Sequence, residues 1–354
     1  MTLELAIVAD DLTGALDASA PFVAQGIGVA VAISPEHLEA ALATGLAGLA
    51  VSTATRALGP DAAARRIGAV AAALAAAAPR IAFKKVDSRL QGQPGAETEA
   101  MRTALGRTRV VAAPAVPELG RIVRAGCIEG LGVAAPIDVR DRFGNVACPL
   151  VVAEATDATG LAEAATLCLV DPGAVLAVGA RGLAAALAAN MARPGAALRP
   201  FMPEPPVLVA IGSRDPITLA QVARLIAAHP GLAVVDAPDG TPPEGATGVL
   251  YRCTGNGGGL AGSVVAARFG AAMARRIRMG GVRTAVVSGG DTAAALAEAL
   301  GAGVLLPEGE VLPGMPHSRL EIPGLGRLTL VTKSGGFGGP DALLAALYAD
   351  RLKD

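Results

Sequence analysis

The sequence predicts an α/β protein built from two domains with mainly parallel sheets. Short apolar runs alternate with alanine-rich helical segments along the whole chain, which is the pattern of repeated strand–helix units. The length of 354 residues exceeds what one hydrophobic core usually supports. The segment 193–206 contains five prolines and no clear periodicity, so it is the best candidate for a linker. We therefore place the domains at residues 1–204 and 205–354.

The composition argues against several classes of protein. A net charge of −1 and an aromatic content of 2% without tryptophan argue against nucleic-acid binding. Mean hydropathy is high at +0.51, but charges interrupt every apolar run, and the longest, residues 67–79, is shorter than the roughly 20 residues of a membrane span. The four cysteines form no CxxC pair and the three histidines are scattered, so we expect neither a zinc site nor disulfides. The expectation is a cytoplasmic protein.

The first strand–helix unit carries two adjacent carboxylates. An apolar run at 5–9 predicts a buried parallel strand, and Asp10 and Asp11 follow it directly before a helix that starts near Thr13. Ligands of open α/β sheets bind beyond the carboxyl ends of the strands, where both carboxylates fall. One carboxylate suffices to cap the helix, so we expect the other to face a ligand. The alternative is that both are solvated turn residues.

Two more predicted strands of the first domain end in polar residues. Arg56 follows a strand at 46–52 and is suited to bind a carboxylate or phosphate, unless it is a surface arginine beside the next helix. A strand from Ile81 ends in a dense polar cluster, with Lys84 on the opposite face because side chains alternate. The members of the cluster are Lys85, Asp87 and Ser88. They could bind and polarise a hydroxylated anion; the alternative is a strand exit with an ordinary salt bridge.

The remaining elements of the first domain show weaker signals. We predict strands at 29–33, 110–117, 150–154 and 175–179, and helices at 61–78, 94–105 and 181–191. Residues 128–145 are rich in glycine and arginine without a clear period, so we expect a surface segment there.

Three predicted strands of the second domain each lead into a glycine-containing turn. The turns are Gly212-Ser213 after the strand 207–211, 289–292 after the strand 284–288, and 334–339 after a strand that ends at Lys333. Further strands are predicted at 232–236 and 249–251, with a glycine loop at 255–259 before a helix at 260–279. Glycines let the backbone approach a phosphate, and a helix start supplies free N–H groups. Each turn alone is compatible with a plain connection, but three together favour a phosphate-rich ligand such as a nucleotide. None of the turns has the Walker signature.

Five motifs, in order along the chain, resemble those of one known family. They are residues 9–15, 84–88, 113–115, 289–292 and 333–338. The chain resembles the four-carbon acid sugar kinases from residue 5 to about residue 347, with a gap in the middle. The resemblance implies phosphorylation of the terminal hydroxyl of a threonate-, erythronate- or oxo-tetronate-like acid with ATP and Mg²⁺. It also implies that the first domain holds the acid and the second the nucleotide, with both ligands in the cleft between them.

The resemblance also assigns residues. Substrate contacts carry over to Asp11, Arg56, Lys85, Val86, Asp87 and Ser88, and nucleotide contacts to Ser213, Gly289, Gly290, Asp291, Thr292 and Gly336. Our interpretation of the strand ends and loops adds Asp10, Lys333 and Gly335. We expect either Asp11 or Asp87 to accept the proton of the attacking hydroxyl, and Asp291 to orient Mg²⁺ or the nucleotide. No metal site made of protein ligands alone is predicted.

The chain departs from the family pattern at four places. Gln91 stands where the family has arginine, Val116 replaces an aromatic residue, Leu16 replaces an asparagine, and the segment 136–150 is much shorter. Two alternatives therefore stay open: a kinase for a different small hydroxy acid, and a non-catalytic nucleotide-binding regulatory protein of the same fold. An NAD-type dehydrogenase ranks last because no GxGxxG follows the first strand. A homodimer is a further open expectation.

Overall fold

The computed structural model describes residues 3–144, 146–194, 200–237, 249–253 and 260–347. The chain forms two compact units, Met1–Ala197 (unit 1) and Leu198–Asp354 (unit 2). Each unit is built on a mainly parallel sheet with packed helices, so the predicted fold class is confirmed. Within the described ranges, no helix combines the length and the apolar character needed to cross a bilayer. Part of the predicted linker, residues 195–199, lies outside them.

Unit 1 contains the elements that position the predicted acid site. Its strands are β1 (Leu5–Ala9), β2 (Val29–Ala32), β3 (Gly48–Ser52), β4 (Ile81–Lys85), β5 (Arg109–Ala113), β6 (Arg121–Arg124), β7 (Cys127–Gly130), β8 (Ile137–Asp138), β9 (Leu150–Val152) and β10 (Val175–Gly179). Its helices are α1 (Leu12–Ala24), α2 (Leu38–Leu42), α3 (Pro60–Ala75), α4 (Pro94–Ala104), α5 (Val139–Arg142), α6 (Ala158–Leu169) and α7 (Arg181–Ala189).

The main sheet of unit 1 runs in the order β2-β3-β1-β4-β10-β5-β9, and all of its pairs are parallel. Every residue of β1 is buried, because β1 lies inside the sheet. A strand covered on both faces needs an unbroken apolar run rather than an alternating one, which is what the sequence of β1 provides.

A small antiparallel sheet in unit 1 was not predicted from the sequence. The segment 128–145 was expected to be an irregular surface segment, but it contributes to the sheet β6-β7-β8 and to α5, with Ile128 and Phe143 buried. A two-residue turn, Ala125-Gly126, joins β6 to β7, and both residues have positive φ. Positive φ at both positions matches the twist of a hairpin, but alanine gives no sequence signal for it.

Unit 2 has a sheet of mixed direction. Its strands are β11 (Val207–Ile211), β12 (Ala233–Ala237), β13 (Val249–Cys253), β14 (Thr284–Ser288), β15 (Val304–Glu310), β16 (Pro316–Ile322) and β17 (Gly326–Lys333), and its helices are α8 (Pro216–Ala228), α9 (Gly262–Gly280), α10 (Gly290–Leu300) and α11 (Ala342–Leu347). The order is β12-β13-β11-β14-β17-β16-β15, parallel up to β17 and antiparallel beyond it. The predicted glycine loop 255–259 lies outside the described residues.

Candidate functional site

The strand register of unit 1 brings three polar segments to one edge of the sheet. Ala9, the last residue of β1, pairs with Ser52 of β3 and with Lys85 of β4. The chain therefore leaves all three strands at the same level, as expected for parallel strands. The residues that follow are Asp10 and Asp11 after β1, the segment to Arg56 after β3, and Val86, Asp87 and Ser88 after β4.

Arg56 binds both carboxylates that follow β1. Its Nε and Nη2 donate to Asp10 Oδ2 at 2.7 Å and Asp10 Oδ1 at 3.0 Å, and its Nη1 donates to Asp11 Oδ2 at 2.7 Å. Burial alone would raise the pKa of Asp10, but Arg56, Lys84 and Lys85 outweigh it and hold that pKa below its ordinary value. Burial opposes the charge on Arg56 as well, and Asp11 and Asp10 raise its pKa in compensation. Asp10 and Arg56 are therefore both ionised at neutral pH.

Asp11 is the helix cap at this edge. Its Oδ1 accepts from Gly14 N at 2.7 Å, and Thr13 Oγ1 donates to its Oδ2 at 3.0 Å. A Cβ at position 14 would lie 2.6 Å from Asp11 Oδ1 and 3.3 Å from Lys85 Nζ. Glycine is needed there because the start of α1 approaches both polar groups closely.

The two lysines of the third motif have different surroundings, as the alternation of side chains along β4 predicts. Lys84 Nζ forms an ion pair with Glu97 Oε2 at 2.7 Å, and both side chains are buried. Lys85 Nζ donates to Val86 O at 2.9 Å and lies beside the start of α1. Lys85 Nζ forms no other hydrogen bond with the described residues, so two of its three donors remain for a ligand.

Asp87 and Ser88 follow Lys85 at the same edge. Asp87 Oδ1 accepts from Arg89 N at 2.8 Å, and within the described part of the chain no donor contacts its Oδ2. Ser88 Oγ accepts from Arg121 Nη1 at 2.8 Å, and Arg121 Nε donates to Leu131 O. The sequence did not predict the contact between Arg121 and Ser88. The two residues meet only because the small sheet brings β6 next to the loop after β4.

Three loops of unit 2 approach one another closely, and they are those predicted to bind phosphate. A Cβ at Gly212 would lie 1.9 Å from Thr292 Oγ1, and a Cβ at Gly335 would lie 2.5 Å from Ser213 Oγ. Gly289 precedes α10 with φ of +110°, a conformation that side chains rarely adopt. The backbone N–H groups at the start of α10, including those of Gly290 and Asp291, have no partner inside the helix. They are suited to bind an anion.

The last of these loops, Ser334–Gly339, is called the glycine loop here; Gly336 lies at its centre. Lys333 Nζ donates to Ser334 O at 2.9 Å, Gly335 O at 3.3 Å and Phe337 O at 3.1 Å. The side chain of Lys333 is fully buried. Lys333 therefore lies under the loop, bound to its carbonyl oxygens.

A cavity of about 360 Å³ lies beside Gly212 and the start of α10. Predicted residues in its lining are Gly212, Asp291 and Thr292, and the sequence did not predict Arg214, Cys253, Leu260, Val265 and Phe269. The apolar lining comes mainly from the amino-terminal half of α9, whose contact with this cavity the sequence pattern did not show. A cavity that joins an apolar wall to anion-binding backbone groups is suited to a nucleotide.

No cluster of three or more His, Cys, Asp or Glu side chains able to hold a metal ion occurs among the residues the structure describes. A magnesium ion at this site would therefore depend on phosphate oxygens and on a single carboxylate such as Asp291, which is an ordinary mode of Mg²⁺ binding.

Two family models match this chain, one in each unit. A sugar-binding N-terminal domain matches residues 5–136, and a nucleotide-binding C-terminal domain matches residues 253–343. The chain is 33% identical to a D-threonate kinase of Bordetella bronchiseptica, covering 98% of this chain and 97% of that one. It is 28% identical to a 3-oxo-tetronate kinase of Pseudomonas fluorescens, covering 97% and 96%.

Solved structures with a similar fold are also found. A Salmonella typhimurium protein has the same fold, with a TM-score of 0.75 at 18% identity over 99% of this chain and 100% of that one. A domain of unknown function from Bordetella bronchiseptica, a domain-swapped dimer with bound citrate, has a TM-score of 0.50 at 28% identity, covering 99% and 98%. The resemblance predicted from five motifs is thus confirmed, and the chain belongs to the family of four-carbon acid sugar kinases.

Proposed function

We propose that this protein transfers the γ-phosphoryl group of ATP to the terminal hydroxyl of a four-carbon sugar acid of the threonate, erythronate or oxo-tetronate type. The observation that carries the proposal is the pair of polar centres. Unit 1 presents cationic and carboxylate side chains at one sheet edge, and unit 2 presents glycine-lined backbone donors beside a cavity. The names of the kinase relatives supply the substrate class.

Three of the proposed substrate contacts in unit 1 still have polar groups available to a ligand. They are Lys85, Asp87 and Ser88. Lys85 keeps two donors for a carboxylate or hydroxyl. Ser88 Oγ already accepts from Arg121, so its own proton is available to a substrate oxygen. Arg56 contributes chiefly by holding Asp10 and Asp11 in place. The citrate bound by a related protein supports a carboxylate-bearing ligand.

Asp87 is the proposed general base. Both oxygens of Asp11 accept hydrogen bonds, from Gly14, Thr13 and Arg56, and its role as helix cap fixes them. Asp87 Oδ2 receives no donor from the described residues, so it is available to accept the proton of the attacking hydroxyl. The two carboxylates, equivalent candidates in the sequence, differ in this respect.

ATP would supply the phosphoryl group, and its Mg²⁺ would neutralise the phosphate charge. A Cβ at Gly212 would collide with Thr292 and one at Gly335 with Ser213, so glycine at these positions lets the three turns pack together. The N–H groups at the start of α10 and in the glycine loop would hold the phosphates. Asp291 would hold the metal ion, and the cavity next to α9 would take the base.

Mass spectrometry of reactions with MgATP and a panel of sugar acids tests the proposal. We expect a gain of one phosphoryl group on a four-carbon acid. Phosphorylation only of a shorter or longer hydroxy acid would favour the alternative kinase. Nucleotide binding without transfer to any acid would refute catalysis and favour a regulatory protein.

The base assignment has its own test. Asp87→Asn should lower kcat by roughly 10²- to 10⁴-fold, the usual contribution of a general base. Asp11→Asn keeps a capping oxygen and should mainly raise KM. Equal kcat for Asp87→Asn and wild type would refute the assignment.

Because a related protein is a domain-swapped dimer, we also propose a homodimer, which light scattering of the purified chain would test.

A further inference from the structure

The glycine loop is held from below by three side chains. Lys333 Nζ contacts three of its carbonyl oxygens and also donates to Thr218 Oγ1 at 3.0 Å. Thr218 Oγ1 in turn donates to Gly335 O at 2.8 Å. Gln221 Nε2 lies within 2.9–3.0 Å of the carbonyl oxygens of Phe337, Gly338 and Gly339. Nearly every carbonyl oxygen of the loop is therefore fixed by β17 or α8.

This arrangement determines where the N–H groups of the loop point. In a planar trans peptide, the C=O and N–H groups point in opposite directions. Carbonyl groups that point toward Lys333 and Gln221 therefore turn the N–H groups of the same peptide units away from them. Those N–H groups belong to Gly335, Gly336, Gly338 and Gly339. Consecutive N–H groups directed to one side form an anion-binding concavity.

Lys333 itself is not placed to contact an anion. Its side chain is fully buried, and its Nζ lies within 3.3 Å of four oxygen acceptors of the protein. An ammonium group has three donors, so this site already satisfies it. A buried charge of this kind is tolerated only where such partners surround it.

We propose that Lys333 is a positioning residue, which acts as an internal cation that orients the glycine loop so that its N–H groups bind the phosphates of the nucleotide. The inference rests on the proposed nucleotide-binding function of unit 2. It gives the motif lysine a role through the loop rather than through direct contact with phosphate. Gln221 and Thr218 of α8 share that role, although neither carries charge.

The titration of Lys333 gives an independent readout. Burial lowers the pKa of Lys333 to about 8, although Asp215 at the start of α8 opposes the shift. A neutral amine has fewer donors and no charge, so nucleotide affinity should fall as the pH rises through about 8. A variant without the amine should not show this part of the pH profile.

Calorimetric titration with MgATP tests the inference. We expect Lys333→Met to weaken binding by about 10- to 100-fold, the equivalent of losing one hydrogen bond from a charged donor. Gln221→Met removes loop contacts without removing charge and should weaken binding by about 3- to 10-fold. Arg327→Met, on the same strand with a half-exposed side chain paired to Glu308, is the matched control and should bind as wild type does.

Each outcome bears on a separate claim. A folded Lys333→Met protein that binds MgATP within about twofold of wild type, with an unchanged pH profile, would overturn the inference. Restored affinity of Lys333→Ala in methylammonium would support it. If circular dichroism shows that Lys333→Met does not fold, the pH profile of the wild type decides. An affinity for MgATP that does not change between pH 7 and pH 9.5 would then overturn the inference. Absence of MgATP binding by wild type would instead refute the proposed function.

Discussion

Replacing Arg56 by methionine is expected to destabilise unit 1 strongly. The change removes three hydrogen bonds to carboxylates, and it leaves Asp10 buried without its guanidinium partner. Breaking one side of a buried ion pair typically costs about 3–5 kcal/mol. The side chain of Arg56 is 29% exposed and that of Asp11 is 15% exposed, and Lys84 and Lys85 still act on Asp10. We therefore expect a loss of about 2–3 kcal/mol in the free energy of unfolding at pH 7.

The same substitution should change how stability depends on pH. In the wild type, burial raises the pKa of Asp10, but Arg56, Lys84 and Lys85 lower it below 3.8. A carboxylate with a lowered pKa stabilises the folded state above its unfolded pKa and loses that effect as the pH falls. Without Arg56, the pKa of Asp10 rises and the carboxyl group is protonated at a higher pH. The difference in stability between variant and wild type should therefore shrink from pH 7 to pH 4.

Urea denaturation followed by circular dichroism at both pH values measures the effect, and hydrogen exchange of β1 and α1 peptides assigns it to unit 1. Arg66→Met is the matched control. Its guanidinium lies 3.8 Å from Glu36 with side chains 39% and 68% exposed, so we expect less than about 0.5 kcal/mol. A loss below about 1 kcal/mol for Arg56→Met, or one that does not change with pH, would refute the reasoning.

Three further tests probe separate contacts. Gly212→Ala would place a Cβ 1.9 Å from a threonine hydroxyl, so it should weaken MgATP binding in calorimetry by more than about tenfold, whereas Gly231→Ala meets no atom within 4 Å and should not. Lys84→Met leaves a buried glutamate without its partner at 2.7 Å and should lower the urea-derived free energy of unfolding by about 3–5 kcal/mol; a loss under about 1 kcal/mol would contradict this. Arg121→Met and Ser88→Ala should be non-additive in kcat/KM, because Arg121 acts through Ser88; additive effects would show that it does not.

The strand ends in both units were predictable, because the end of a buried parallel strand follows from where its run of apolar residues stops. The run in β1, the polar residues after it and the glycine turns after β11, β14 and β17 need no tertiary information. The partner of Arg56 was not predictable in this way. Its contact with Asp10 joins residues far apart in the chain, and whether an arginine at a strand end meets a ligand or a neighbouring carboxylate depends on the packed structure.

The antiparallel elements were missed for identifiable reasons. β15 contains Pro307 and Gly309, which argue against a strand in sequence analysis. The structure accommodates both with an irregular register between Pro307 and Gly309 against β16. In unit 1, the turn Ala125-Gly126 has positive φ at both residues, and Glu154 accepts from both of its backbone N–H groups. A distant carboxylate thus stabilises a turn that its own sequence does not predict.

The charged residues of the motifs divide into those available to a ligand and those that build the site. Lys84 and Lys333 are fully buried, and their partners are a carboxylate and a set of carbonyl oxygens. Lys85, one residue after Lys84, keeps free donors at the sheet edge. A motif therefore conveys that a site is present, but side-chain direction decides each residue's role. Under the proposed function, selection of the acid is then expected to depend on the loop after β4. Lys333 should affect nucleotide binding only, through the loop carbonyl groups that it holds.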